Sequence, residues 1–239
     1  MEHRGCDSQA HLAVIHSREA LVRSRTQMIN HVRGTVKSFG YRLPKCSTPS
    51  FHKKVPGQLP SELAEVLGPI VETVGSLTEK IKDYDRRVEE LAAERYPETR
   101  LLRQVSGVGS LTALTFVLTL EDPQRFAQSR SVGAYLGLAP ATEHSGEQDP
   151  QKRISGEGDE MLRRLLVSSA HYILGPFAED SDLRGHGEKI AQRGGKNAKS
   201  GPWWRWPENS ACCFIASGSR GRSTKRCAIA DVWGFGERR

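Results

Sequence analysis

Between Leu63 and Leu91 the residues Leu63, Leu67, Ile70, Val74, Leu77, Ile81, Tyr84, Val88 and Leu91 recur at alternating intervals of four and three. Only an α-helix collects such positions into one stripe, and an a/d stripe sustained over about four heptads is a coiled-coil seam that must be covered by another helix. Ser61, after Pro60, stands where an N-cap belongs, and Pro69 is expected to kink the first turns. A covering helix is available upstream. From Gln9 to Phe39 the apolar residues Val14, Ile15, Leu21, Val22, Met28, Ile29, Val32, Val36 and Phe39 form one stripe. The two helices are expected to pair as an antiparallel coiled-coil arm, with a second chain also meeting the seam. The intervening residues 40–60 hold four prolines and two glycines and read as a loop or linker.

Charge adds a partner class. Residues 1–54 carry ten Lys/Arg against three Asp/Glu, residues 55–200 eighteen against twenty-two, and residues 201–239 seven against three. The first helix places Arg18, Arg23, Arg25, Arg33 and Lys37 opposite its apolar stripe, which is either a solvated face or one that meets phosphates. The five cysteines, at 6, 46, 212, 213 and 227, form no Cys-x-x-Cys pair, so no zinc site is expected and a cytoplasmic location is the default. The longest apolar-leaning run, Leu111–Leu120, is far shorter than the roughly 20 residues of a membrane helix, and no membrane partner is expected.

Downstream, Leu101 to Leu118 reads as an apolar helix, a tight turn at Gly107-Val108-Gly109 and a second apolar helix, the pattern of a helix-hairpin-helix. Such a turn can aim backbone N–H groups and a helix start at a phosphate oxygen, which positions a duplex without reading its bases. The alternative is a helix corner buried in a core. Asp122-Pro123 ends the second helix, Ser129 can cap a short one carrying Val132, Tyr135 and Leu136, and residues 139–158 show no period. A polar loop of that length inside a helical domain is uncommon unless it is functional or disordered. A final helix spans about Asp159 to Leu174, with Arg163 and Arg164 in its first turns.

Three ordered motifs, "SGVGSLTALTFVLTLEDPQRF", "SVGAYLGLAPATEHSG" and "ISGEGDEMLRRLL", resemble the C-terminal domain of the insertion sequence one-ten family of transposases, relatives of the Piv DNA invertase. The similarity covers roughly residues 9–199. It implies DNA transposition and recombination through a serine nucleophile that attacks a phosphodiester to give a covalent phosphoserine. It also implies DNA and a guide RNA as partners, and association with another copy or an intact transposase through the coiled coil. Carried onto this chain, the nucleophile is Ser145. Ser155, Gly158, Leu162 and Arg163 match the family's Ser-x-x-Gly-x-x-x-Leu-Arg run, and Arg153, Arg163 and Arg164 are candidates to hold phosphate. Together with Gly107, Val108, Gly109, Ser155, Arg18, Arg25 and Arg33 they make up the expected DNA-binding set. In the family a ribonuclease-H-like domain, rich in strands, holds Mg²⁺ on four acids. No such segment stands in this sequence, so no cofactor is expected in this chain, and the expectation is an inactive fragment. The runner-up is a non-catalytic helix-hairpin-helix DNA-binding protein or a regulator of an intact transposase.

The expected fold is mostly α: a basic helix and Pro-rich loop (1–59), a coiled-coil helix (60–97), a small helical domain (98–199) and a disordered tail (200–239). The tail's "SGPWWRWPENSACCF" has neither helical nor strand period. Codons compatible with it, shifted by one base, encode Ala-Val-Val-Ala-Val-Ala-Arg-Lys-Leu, so a frameshift accounts for the tail in one event.

Overall fold

In a computed structural model of the chain, residues 5–122, 125–126, 129–138, 154–176, 178–181 and 184–185 are described. Their regular structure is helical apart from a single bridge residue, Ile154. The chain divides into two compact units, Met1–Leu91 and Ala92–Arg239. Ser145, Arg153 and the tail 200–239 lie outside the described residues.

The first unit is built on two long helices, α1 (Cys6–Ser38) and α3 (Ser61–Glu94). They run antiparallel: Arg18 meets Asp85, and Arg25 Nη1 lies 3.5 Å from Thr78 Oγ1, so one heptad forward on α1 is one heptad back on α3. The column Leu67, Val74, Ile81 and Val88 is buried, as the spacing requires. The second column is displaced by one residue from expectation. Val71, Thr78 and Ala92 are buried, whereas Ile70, Leu77, Tyr84 and Leu91 are only half-buried. Thr78 is tolerated there because its hydroxyl donates to Val74 O at 2.8 Å, leaving no bare polar group. Helix α3 continues through Pro69, and the Leu63 and Ala64 amides are capped by the Pro60 carbonyl, at 2.9 Å each.

Residues 40–60 contribute side chains to the core of the first unit. A short helix α2 (Phe51–Lys54), flanked by 3₁₀ turns at Thr48–Ser50 and Pro56–Gln58, drives Phe51 and Val55 into a core with Ile29, Val32, Val36, Leu63, Leu67, Val71 and Val74. Phe51 and Val55 are both 0% exposed. Gly75 makes room for this packing, since a Cβ there would lie 3.1 Å from the His52 ring. Phe39, assigned to the α1 stripe by spacing, is 56% exposed. The reason is that α1 ends at Ser38, and Gly40 (φ +85°) turns the chain away from the helix axis.

The second unit surrounds α5 (Ser110–Leu120), ten of whose eleven residues are buried. Around it lie α4 (Thr99–Leu102), α6 (Ser129–Tyr135) and α7 (Glu160–Leu174). Leu102, Phe116, Leu120, Val132, Leu136, Leu162 and Leu166 belong to one core. An all-round apolar α5 can only be a central helix. Of its hydroxyls, Thr115 Oγ1 donates to Leu111 O at 2.6 Å, one turn back on the same helix.

Candidate nucleic-acid interface

Residues 139–153, which carry Ser145 and Arg153, leave and re-enter the described structure at one place. Leu138 is buried in the core of the second unit and Ile154 packs against that core. Beside them the Gly156 amide donates to Gly137 O at 3.1 Å. The clasp depends on glycine. After α6 the Gly137 amide bonds Ala134 O at 3.0 Å and the Leu138 amide bonds Gly133 O at 2.9 Å, a Schellman ending that requires a left-handed residue at Gly137 (φ +67°). A Cβ on Gly137 would lie 1.8 Å from Glu157 O, and one on Gly158 (φ +84°) 2.4 Å from Tyr135 O.

Arg163 completes the clasp. Its Nη1 donates to Leu136 O at 3.0 Å and to Glu157 O at 2.8 Å, tying the end of α6 to the Ser155–Gly158 turn. The same Arg163 nitrogen is thus committed to two carbonyls. Ser155 Oγ accepts from the Glu157 amide at 3.5 Å, and Asp159 caps α7 by accepting from the Leu162 amide at 2.6 Å. Arg164, one residue on, is exposed.

The Gly107–Gly109 turn is elsewhere on the unit. Gly107 (φ +85°) lies against α7 near its C-terminal end, where a Cβ would be 2.8 Å from the Tyr172 ring and 3.2 Å from Ser169 O. At 1.5 Å per residue, Arg163 and Tyr172 are roughly 13 Å apart along α7. The described members of the expected DNA-binding set in this unit therefore fall into two places, one near each end of α7. At the turn, Gly107 and Gly109 are exposed, while Val108 is half-buried against the core. The helix before the turn is only four residues long, Thr99–Leu102.

In the first unit Arg18, Arg25 and Arg33 are half-buried, and each meets a neighbouring group. Arg18 pairs with Asp85. Arg25 lies against Thr78, and its Nε is buried without a hydrogen-bond partner. Burial first, then the neighbouring Arg18 charge, lower the Arg25 pKa from its usual value, against the opposing pull of Asp85. Arg33 stacks over the Phe51 ring with its guanidinium carbon 5.2 Å from the centroid, and its Nη2 lies 3.4 Å from Cys46 Sγ. The physical reason is length: an arginine at a helix flank can lay its stem on the core and reach a partner on the next helix. Sequence reasoning missed Gly137, Glu157 and Phe51. A glycine directly after α6 was the available signal for the first, and the four-residue spacing of Phe51 and Val55 for the last.

Among the described residues no three His, Cys, Asp or Glu side chains group so as to hold a metal ion. None of its helices is long and apolar enough to cross a membrane.

Residues 99–180, from the first residue of α4 to just beyond α7, match the family model described as "Transposase IS116/IS110/IS902 family". The "Transposase for insertion sequence element IS1111A" of Coxiella burnetii is 29% identical over 179 residues, 72% of this chain and 49% of that relative. The "Transposase for insertion sequence element IS1328" of Yersinia enterocolitica is 31% identical over 176 residues, 70% of this chain and 51% of that relative. The chain thus spans about half the length of the curated relatives it matches.

Proposed function

The chain belongs, through residues 99–180, to the IS116/IS110/IS902 transposase family, and from that premise we propose that its second unit engages DNA and presents Ser145 as the nucleophile of strand transfer. The carrying observation is the clasp of Gly137, Gly156, Gly158 and Arg163, which holds both ends of the Ser145-bearing segment on one rigid core. Catalytic residues are commonly carried on segments whose flanks a folded scaffold holds, and here the described flanks are so held. In the proposed step Ser145 Oγ forms a bond to a DNA phosphorus and one P–O bond of the strand breaks. The strand end leaves as a hydroxyl, taking up the proton that the serine gives up. A serine hydroxyl needs activation by a base or a metal for this.

The half-buried column Ile70, Leu77, Tyr84 and Leu91 supports association of the arm with a second copy or with a longer transposase. DNA contacts at the Gly107–Gly109 turn and at Arg164 belong to the same proposal. A guide RNA is a further proposed partner.

The test is a covalent adduct. The full chain is incubated with duplex DNA and divalent cation, alone and with an intact relative, and denaturant-resistant protein–DNA species are counted for wild type and Ser145→Ala. An adduct from wild type only, with equal non-covalent duplex binding by both, supports the proposal. Loss of non-covalent binding in Ser145→Ala would make the serine a phosphate contact, and absence of any wild-type adduct would favour a non-catalytic DNA-binding module.

A further inference from the structure

Arg18, Arg25 and Arg33 are half-buried with neighbouring partners, and further basic residues of the first unit are fully exposed. Between Glu19 and Glu62 the chain has no acidic residue but eight Lys/Arg. Of these, Lys37, Arg42, Lys45, Lys53 and Lys54 are exposed. They lie on one folded segment, because Phe51 and Val55, fully buried, pin the α1–α3 connection onto the helix pair. Glu79 feels Lys53 and His52 but is already bonded to Lys82 at 3.0 Å.

Two large aromatics stand between Lys37 and Arg42 in the sequence. Phe39 is 56% exposed and Tyr41 49% exposed, either side of Gly40. Their backbone is held in a Schellman ending, with the Gly40 amide bonded to Lys37 O at 3.0 Å and the Tyr41 amide to Val36 O at 3.1 Å. Exposed aromatics on a fixed backbone, with exposed cations beside them in sequence, offer flat apolar faces next to positive charge. Cations alone fit any phosphate backbone. Aromatic faces beside them fit bases that are not already stacked in a duplex.

We infer that residues 37–54 form a ledge that binds single-stranded nucleic acid, with Lys37, Arg42, Lys45, Lys53 and Lys54 on phosphates and Phe39 and Tyr41 stacked on bases. This extends the proposed function to the first unit and does not depend on Ser145. It also explains why a connection between two helices is built as a packed wedge: cations spread over a floppy loop would have to be ordered on binding, and here folding has already ordered them.

The experiment titrates the full chain against labelled oligothymidylate, oligouridylate and a blunt duplex, each of about 20 nucleotides. Both single strands are expected to bind more tightly than the duplex, with a salt slope of about −3 to −4 for five phosphate contacts. Phe39→Ala with Tyr41→Ala should weaken single-strand binding roughly tenfold or more and leave the duplex nearly unaffected. Lys53→Gln with Lys54→Gln should reduce the slope by about 0.7 per charge. All four side chains are exposed, so the variants keep the fold, checked by unchanged hydrogen exchange of α1 and α3. Tighter binding of uridylate assigns the ledge to RNA and of thymidylate to DNA. Duplex binding as tight as single-strand binding, or an aromatic double variant that binds like wild type, overturns the inference. Ser145 adduct formation measured on the same variants separates the two proposals, since either activity can be lost with the other intact.

Discussion

Replacing Phe51 by alanine tests whether the α1–α3 connection is core or linker. The ring is 0% exposed and sits among Val32, Val36, Val71 and Val74. A phenylalanine removes about 200 Å² from water, worth roughly 5 kcal/mol at about 25 cal/mol per Å². A compact unfolded chain lowers that by about a third, and alanine keeps a little of it, leaving about 3 kcal/mol, the lower end of measured Phe→Ala losses. Removing the ring also removes the stack under Arg33, worth about 0.5–1 kcal/mol. Because the chain has two compact units, a single melting transition would mix them. Hydrogen exchange of the amides of residues 29–36 and 63–74 reads the first unit alone. Their slowest exchange is expected to accelerate by roughly two orders of magnitude in Phe51→Ala, the equivalent of about 3 kcal/mol. Phe39→Ala, on the same connection but 56% exposed, should change it by less than about threefold. If the two variants behave alike, with less than about 1 kcal/mol lost from Phe51→Ala, the wedge is not part of the core and the ledge argument loses its scaffold.

Gly137→Ala should destabilise the second unit by at least about 2 kcal/mol in denaturant unfolding, because the new Cβ meets Glu157 O at 1.8 Å; Gly156→Ala, with open space around it, should cost only about the 1 kcal/mol of its left-handed backbone. Thr99→Val removes hydroxyl bonds to Ala92 O at 2.9 Å and Tyr96 O at 2.7 Å and should lower stability by about 1–2 kcal/mol, an effect Thr99→Ser should largely spare. Arg25→Met should be neutral or stabilising by about 1 kcal/mol in hydrogen exchange of α1, because burial already penalises the charge; a loss above about 2 kcal/mol would contradict that reading. Burial lowers the His171 pKa from 6.5, so the unfolded chain takes up the proton first. Stability from this group is complete above pH 6.5 and declines as pH falls from there toward the lower folded value, so His171→Leu should lose less stability than wild type between neutral and acid pH.

The elements that could be read from sequence were those set by local periodicity and turn chemistry. The heptad interval made α3 a helix with one buried face, the Gly-Val-Gly turn started α5, and Asp159 capped a helix ending at Leu174, as found. These depend on neighbours within a few residues, where spacing and hydrogen-bonding capacity decide. The family resemblance was legible for the same reason, as three ordered motifs that residues 99–180 bear out.

What tertiary structure alone decided was the use of each long polar side chain and the path of the connections. Periodicity placed Arg18, Arg25 and Arg33 off the apolar stripe, yet a guanidinium on a long stem is free to reach whichever partner the opposing helix presents, here Asp85, Thr78 and the Phe51 ring. Prolines marked residues 40–60 as irregular, but irregular backbone can still be packed, and only the presence of Val32, Val36, Val71 and Val74 on the finished helix pair made Phe51 and Val55 core. The glycines Gly137 and Gly158 read locally as turns; what makes each indispensable is a carbonyl from a distant segment less than 2.5 Å from where a Cβ would stand. Sequence spacing fixes which face a residue starts from, and the fold fixes what that residue meets.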